Sequence, residues 1–167
     1  MDLDIEIDGW PRSHDWADLA ERACEAAEKV APELANQRLS ASVLFTVDEE
    51  VQTLNREWRT KDRPTNVLSF PMMTRAELLA LAPDGGPEML GDIALAHETC
   101  AREAADKGVA IERHAMHLVL HGLLHLAGHD HEISDGDAET MEALEIKALA
   151  LLGLPDPYGD RDNQELA

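Results

Sequence analysis

Residues 111–131 read IERHAMHLVLHGLLHLAGHDH, and the way this stretch must fold decides the architecture around it. From Ile111 to Leu126, apolar side chains fall on almost every side of a 3.6-residue turn. A helix without a polar face has to be covered all round. Gly128 stands where such a helix would end. The chain therefore needs a sheet and further helices packed about one central helix. Its 167 residues suffice for one domain with a real core, and not for two.

The flanking sequence supplies those elements. Residues 2–8 alternate apolar and acidic side chains, the period of a half-buried strand. Asp15 is an N-cap candidate for a helix to about Val30, and Pro32 marks its end. LSASVLFTVD (39–48) reads as a central strand, and Asp48 as the cap of a helix carrying Val51, Leu54 and Trp58 at helical spacing. NVLSFP (66–71) is a short strand stopped by Pro71; residues 73–89 form a loop with a short helical piece at 75–81. GDIALA (91–96) is a further strand, a helix over 97–107 ends at Gly108, and a last helix from Asp135 or Asp137 closes at Gly153 and Pro155. The expectation is a single α/β (α+β) domain, residues 1–155, of about four strands and five helices, with a loose tail over 156–167.

Composition bounds what this domain can do. The chain is 44% hydrophobic and 29% charged, as a soluble globular protein is. No apolar run approaches the roughly 20 residues of a membrane span. MDLDIEIDGW lacks the basic start and apolar core of a signal peptide. Cys24 and Cys100 stand far apart with no C-x-x-C, as reduced, buried thiols of a cytoplasmic protein do. The formal net charge of −20 argues against indiscriminate nucleic-acid binding. Arg56, Arg59, Lys61 and Arg63 nonetheless fall together, so an anionic substrate would be met locally, there or at a metal.

The histidines point to the metal. His121 and His125 are four apart and project side by side, about 6 Å apart along a helix axis. After the turn at Gly128, His131 can return as a third ligand. Three imidazoles suit one Zn²⁺ ion and leave a fourth position open, the mark of a catalytic site. His114 and His117 lie upstream on the same stripe and are expected to make supporting hydrogen bonds or line the cleft. His129 points away if His131 points in, and Asp130 could orient a ligating imidazole.

The helical zinc peptidases carry a Glu directly after the first His; here that position is Gly122. Without that acid and base, peptide cleavage loses the group that protonates the leaving nitrogen. A phosphodiester asks instead for cations on the phosphoryl oxygens. Arg59 is the expected catalytic cation, with its planar fork suited to phosphate, and Lys61 an accompanying substrate-binding charge. The base remains open among zinc-activated water, Asp92 and His117.

Four blocks carry a resemblance to a known family: HGLLHLAGHDH, LNREWRTKDRPTNVLSFP (54–71), LGDIALA (90–96) and ETMEALE (139–145). In their order along the chain they resemble the YbeY endoribonucleases. The resemblance implies a mostly parallel sheet under helices, zinc on His121, His125 and His131, and an activity-bearing arginine at Arg59. It further implies cleavage of single-stranded RNA, in 16S rRNA 3′-end maturation and ribosome quality control. The small ribosomal subunit or its proteins would be partners, with no membrane and no DNA. The chain departs from the family's pattern at His129, commonly Tyr, and at Asn66, commonly Asp. Two competitors stand beside this reading: a metallopeptidase-like zinc hydrolase, and a non-catalytic ribosome assembly factor with structural zinc.

Overall fold

The computed structural model describes residues 1–129 and 135–158. Its strands are β1 (Asp2–Ile7), β2 (Leu39–Thr46), β3 (Val67–Pro71) and β4 (Glu88–Ala96). Its helices are α1 (Trp16–Val30), α2 (Asp48–Arg59), α3 (Arg75–Leu79), α4 (His97–Lys107), α5 (Ile111–Leu126) and α6 (Asp135–Leu151). The strands form one sheet in the order β1-β2-β4-β3. β1, β2 and β4 run parallel, and β3 pairs antiparallel with β4 at the edge. This is the mixed, mostly parallel sheet and single α/β domain expected from the sequence.

The period-two patterns become two faces. On β2, Leu39, Ala41, Val43 and Phe45 are buried in the main core with α1, α5 and α6. A smaller cluster, Val51, Leu68, Ala94 and Ala96, lies where α2 covers part of the other face. There the open sheet carries Asp4, Glu6 and Asp92 beside Leu44, Leu54 and Trp58, around a groove of about 570 Å³. α5 is buried on nearly every side, as its composition requires.

Local signals set most boundaries. Asp15 caps α1, its carboxylate accepting the Asp18 N–H at 2.9 Å. Thr74 and Glu77 form a reciprocal capping box that fixes the short α3. Asp48 departs from expectation. It is the first residue of α2, and its carboxylate accepts the backbone N–H and the hydroxyl of Thr99 at 3.0 and 2.7 Å, at the start of α4. In return Glu98 accepts the Asp48 N–H at 2.7 Å. Each helix thus satisfies an N-terminal donor of the other, a pairing that local sequence cannot reveal. Gly128 adopts φ +96° just past α5, and a Cβ there would lie 2.5 Å from Arg75 Cβ. Within the stretch expected to be loose, Tyr158 is instead tied by hydrogen bonds to Glu145 and His117.

Candidate active site

The cleft lies between α5 and the loop joining α2 to β3, and encloses about 440 Å³. One wall is a ladder of imidazoles. His114, His117, His121 and His125 rise along α5 at three- and four-residue steps, with successive ring centroids 6.4, 6.5 and 6.5 Å apart. All four line the cleft.

The facing wall is basic. Arg59 ends α2, and Thr60 takes the left-handed conformation (φ 58°), turning the chain so that Lys61 follows into the cleft lining. Buried Asn55 holds this loop twice: its carbonyl accepts the Lys61 N–H at 3.2 Å, and its side-chain amide donates to the Arg63 carbonyl at 2.9 Å. The Arg59 guanidinium donates to the Ser69 carbonyl on the edge strand and sits 5.5 Å from the Phe70 ring centroid. Arg63 and Lys107 also line the cleft. The fold thereby brings Arg59 and Lys61 to the same cavity as His121 and His125, though more than fifty residues separate the two segments. Asp130 and His131 lie outside the described residues.

Behind the ladder is a hub that sequence reading missed. Glu145, from α6, is 1% exposed. Its Oε1 accepts from His121 Nδ1 at 2.8 Å and from His117 Nε2 at 3.1 Å, and its Oε2 accepts the Tyr158 hydroxyl at 2.9 Å. Burial alone would raise this carboxyl, but the hydrogen bonds and charges of His117 and His121 outweigh it and hold it at about 2. The available signal was a glutamate in the buried stripe of Met141, Ala148 and Leu149 on α6. One rung down, His114 Nε2 meets Glu103 Oε1 at 2.9 Å. Burial lowers the His114 pKa, only partly opposed by Glu103.

Two further candidates fall elsewhere. Asp92 accepts from the Ser42 hydroxyl and lines the groove on the opposite face of the sheet, while its neighbour Ile93 faces α5. The sheet lies between Asp92 and the histidines, so it cannot serve as base there. His129 turns from the cleft toward Arg75 and Glu33, with Nε2 3.4 Å from Arg75 Nη1 and 3.8 Å from Glu33 Oε1. Burial, then the Arg75 charge, lowers its pKa.

Among the described residues no three His, Cys, Asp or Glu side chains are grouped to hold a metal ion. The donor chemistry nevertheless fits zinc. Two neighbouring imidazoles face one cleft, one of them oriented by a carboxylate behind it, the usual support of a ligating histidine. Among the described residues no helix is long and apolar enough to cross a membrane.

Residues 5–153 match the family model described as Endoribonuclease YbeY. A relative of that name from Erythrobacter litoralis is 63% identical over 161 residues, covering 96% of this chain and 99% of the relative. Another of the same name, from Novosphingobium aromaticivorans, is 59% identical over 162 residues, covering 96% and 97%. A solution structure from Thermotoga maritima superposes with a TM-score of 0.55 at 25% identity, over 98% of this chain and 95% of that one.

Proposed function

Because the chain belongs to the YbeY endoribonuclease family, we propose that it is a zinc-dependent endoribonuclease cutting single-stranded RNA. Its setting would be the cytoplasm, in 16S rRNA 3′-end maturation and ribosome quality control. The observation that carries this reading is one cleft in which His121 and His125 face Arg59 and Lys61. One Zn²⁺ ion would be held by His121, His125 and His131. When bound, it supplies Lewis acidity to a phosphoryl oxygen.

The chain's own residues supply the rest. Arg59 keeps one guanidinium N–H on the Ser69 carbonyl, so its fork is pre-aimed while other N–H donors remain for a phosphate. It stabilises the charge that grows on the phosphoryl oxygens as the bond breaks. Lys61, Arg63 and Lys107 hold neighbouring phosphates in register. A cleft of about 440 Å³ is of small-ligand size, which favours an unpaired nucleotide over a duplex.

A net charge of −20 leaves little long-range attraction for RNA. The small ribosomal subunit or one of its proteins would supply binding energy, and Asp4, Glu6 and Asp92 on the open sheet face have the sign that a basic partner meets. The metallopeptidase reading loses support, because position 122 faces the sheet and not the cleft.

The test compares wild type, His125→Ala and Arg59→Glu on single-stranded RNA, with and without chelator, after bound metal is measured. Wild type should cleave and lose activity to chelator; His125→Ala should lose metal and activity; Arg59→Glu should lose activity and keep metal. Equal cleavage by all three proteins would expose a contaminating nuclease and sink the proposal.

A further inference from the structure

The ladder on α5 poses a selection problem. Four imidazoles share one stripe and one cleft, yet the proposed zinc site uses only the last two of them. Spacing along the helix does not distinguish His117 from His121. The carboxylates behind them do.

We propose that Glu145 is a positioning residue that commits His121 to metal binding and withholds His117, by fixing the tautomer of both rings. This inference rests on the zinc reading above. An ionised carboxylate only accepts hydrogen bonds, so the ring nitrogen facing it carries the proton. A neutral imidazole holds its lone pair on the other nitrogen. Glu145 Oε1 meets His121 at Nδ1, 2.8 Å away, so the His121 lone pair lies on Nε2, at the far end of the ring. The same oxygen meets His117 at Nε2, 3.1 Å away, so the His117 lone pair lies on Nδ1, near its own helix backbone. Glu103 treats His114 as Glu145 treats His117, spending Nε2 at 2.9 Å. His114 and His117 are thus both turned into donors and removed from the ligand set.

The device is braced from two sides. Glu145 is buried among Met141, Ala148 and Leu149, where a carboxylate without partners would be costly, so its contacts are held against solvent. The Tyr158 hydroxyl occupies Oε2 at 2.9 Å and lies 3.2 Å from His117 Nε2, which resists rotation of the carboxylate. The segment after α6 therefore acts on a site that it enters through Glu145 and His117.

The experiment has two readouts. Long-range ¹H–¹⁵N correlation spectra of the metal-free protein at pH 8 report imidazole tautomers directly. Wild type should show His121 protonated at Nδ1 and His117 at Nε2. Glu145→Leu, which removes the acceptor without leaving a buried charge, should abolish the His121 preference. Zinc affinity, by competition with a chromophoric chelator, should fall about 10–100-fold in that variant. Thermal unfolding of the metal-free proteins checks that both are folded. If Glu145→Leu does not fold, Glu145→Met carries the test, since both rings meet the one oxygen Oε1 and a thioether puts only a weak acceptor in its place. Unchanged tautomers, or unchanged zinc affinity, in the folded variant overturns the proposal. Wild type that binds no zinc, or His125→Ala that binds it undiminished, overturns the zinc reading instead.

Discussion

Gly122 of α5 lies against Ile93 of β4 so closely that a Cβ placed on it would come within 3.0 Å of Ile93 Cδ1. The position that carries the general base in helical zinc peptidases is here a packing contact between helix and sheet. A side chain at 122 would enter the core and not the cleft. We predict that Gly122→Glu gains no peptidase activity and loses about 3 kcal/mol or more of stability through overpacking and an unpaired buried charge. Denaturant unfolding reads this, and a variant of wild-type stability would refute the packing argument.

Arg59 is held by the Ser69 carbonyl and the Phe70 ring, and only a planar guanidinium keeps further N–H donors in a fixed fork once those contacts are made. Arg59→Lys should therefore behave almost as badly as Arg59→Ala. Each should lower RNA cleavage on the order of 10²–10³-fold, the cost of removing one preorganised donor to developing charge. Thermal stability should change little, because Arg59 is exposed. Full activity in Arg59→Lys would show that charge alone suffices.

The loop bearing Lys61 and Arg63 is tied to buried Asn55. Asn55→Ala removes the amide donated to Arg63 and leaves the backbone bond to Lys61. It should cost about 1 kcal/mol of stability. Filter-binding affinity for single-stranded RNA should also fall, as the end of the loop that carries Arg63 loses its anchor. Unaltered affinity would place the phosphate contacts elsewhere.

His114 is kept neutral by burial, with Glu103, Lys107 and His117 around it, so its folded pKa lies below the ordinary histidine value of 6.5. Its contribution to stability is complete above the unfolded pKa and is lost as pH falls through the folded one, since the unfolded chain then binds more protons. Net acidity works in the other direction, because protonation relieves self-repulsion. The informative quantity is thus the difference between wild type and His114→Gln, whose amide can still donate to Glu103. Between pH 7.5 and 5.5, Tm should fall more in wild type; parallel curves would contradict the burial argument.

Both thiols are buried. Burial, with Glu28 beside it, pushes Cys24 to about 12, and burial raises Cys100 as well. The thiolate is the reactive species, so neither should react with iodoacetamide in the native protein at pH 8. Both should label after unfolding in guanidinium, as mass spectrometry would record. Native labelling of either would mean that α1 or α4 opens readily.

Much of this protein was legible in one dimension. The bounds of α4 and α5, the cap at Asp15 and the strand ended by Pro71 follow from periodicity and from Gly, Pro and Asp at element ends. The cleft's two walls were legible too: residues four apart on a helix share a face, and a basic run between helix and strand is local. These are properties of short segments, which the backbone period of 3.6 or 2 determines without knowledge of the rest. What the tertiary structure alone decided is which polar group each candidate meets. Asp48 caps a helix 51 residues away, Asp92 faces the far side of the sheet, and His129 turns to Arg75. Glu145 reaches His121 and His117 across 24 and 28 residues. A hydrogen bond depends on position and direction in space, and the carboxylate that assigns a proton to one nitrogen of a histidine arrives on another helix. The histidine spacing of HGLLHLAGHDH was therefore written in the sequence, whereas the carboxylate that meets His121 at Nδ1 and His117 at Nε2 is placed by the packing of α6 against α5.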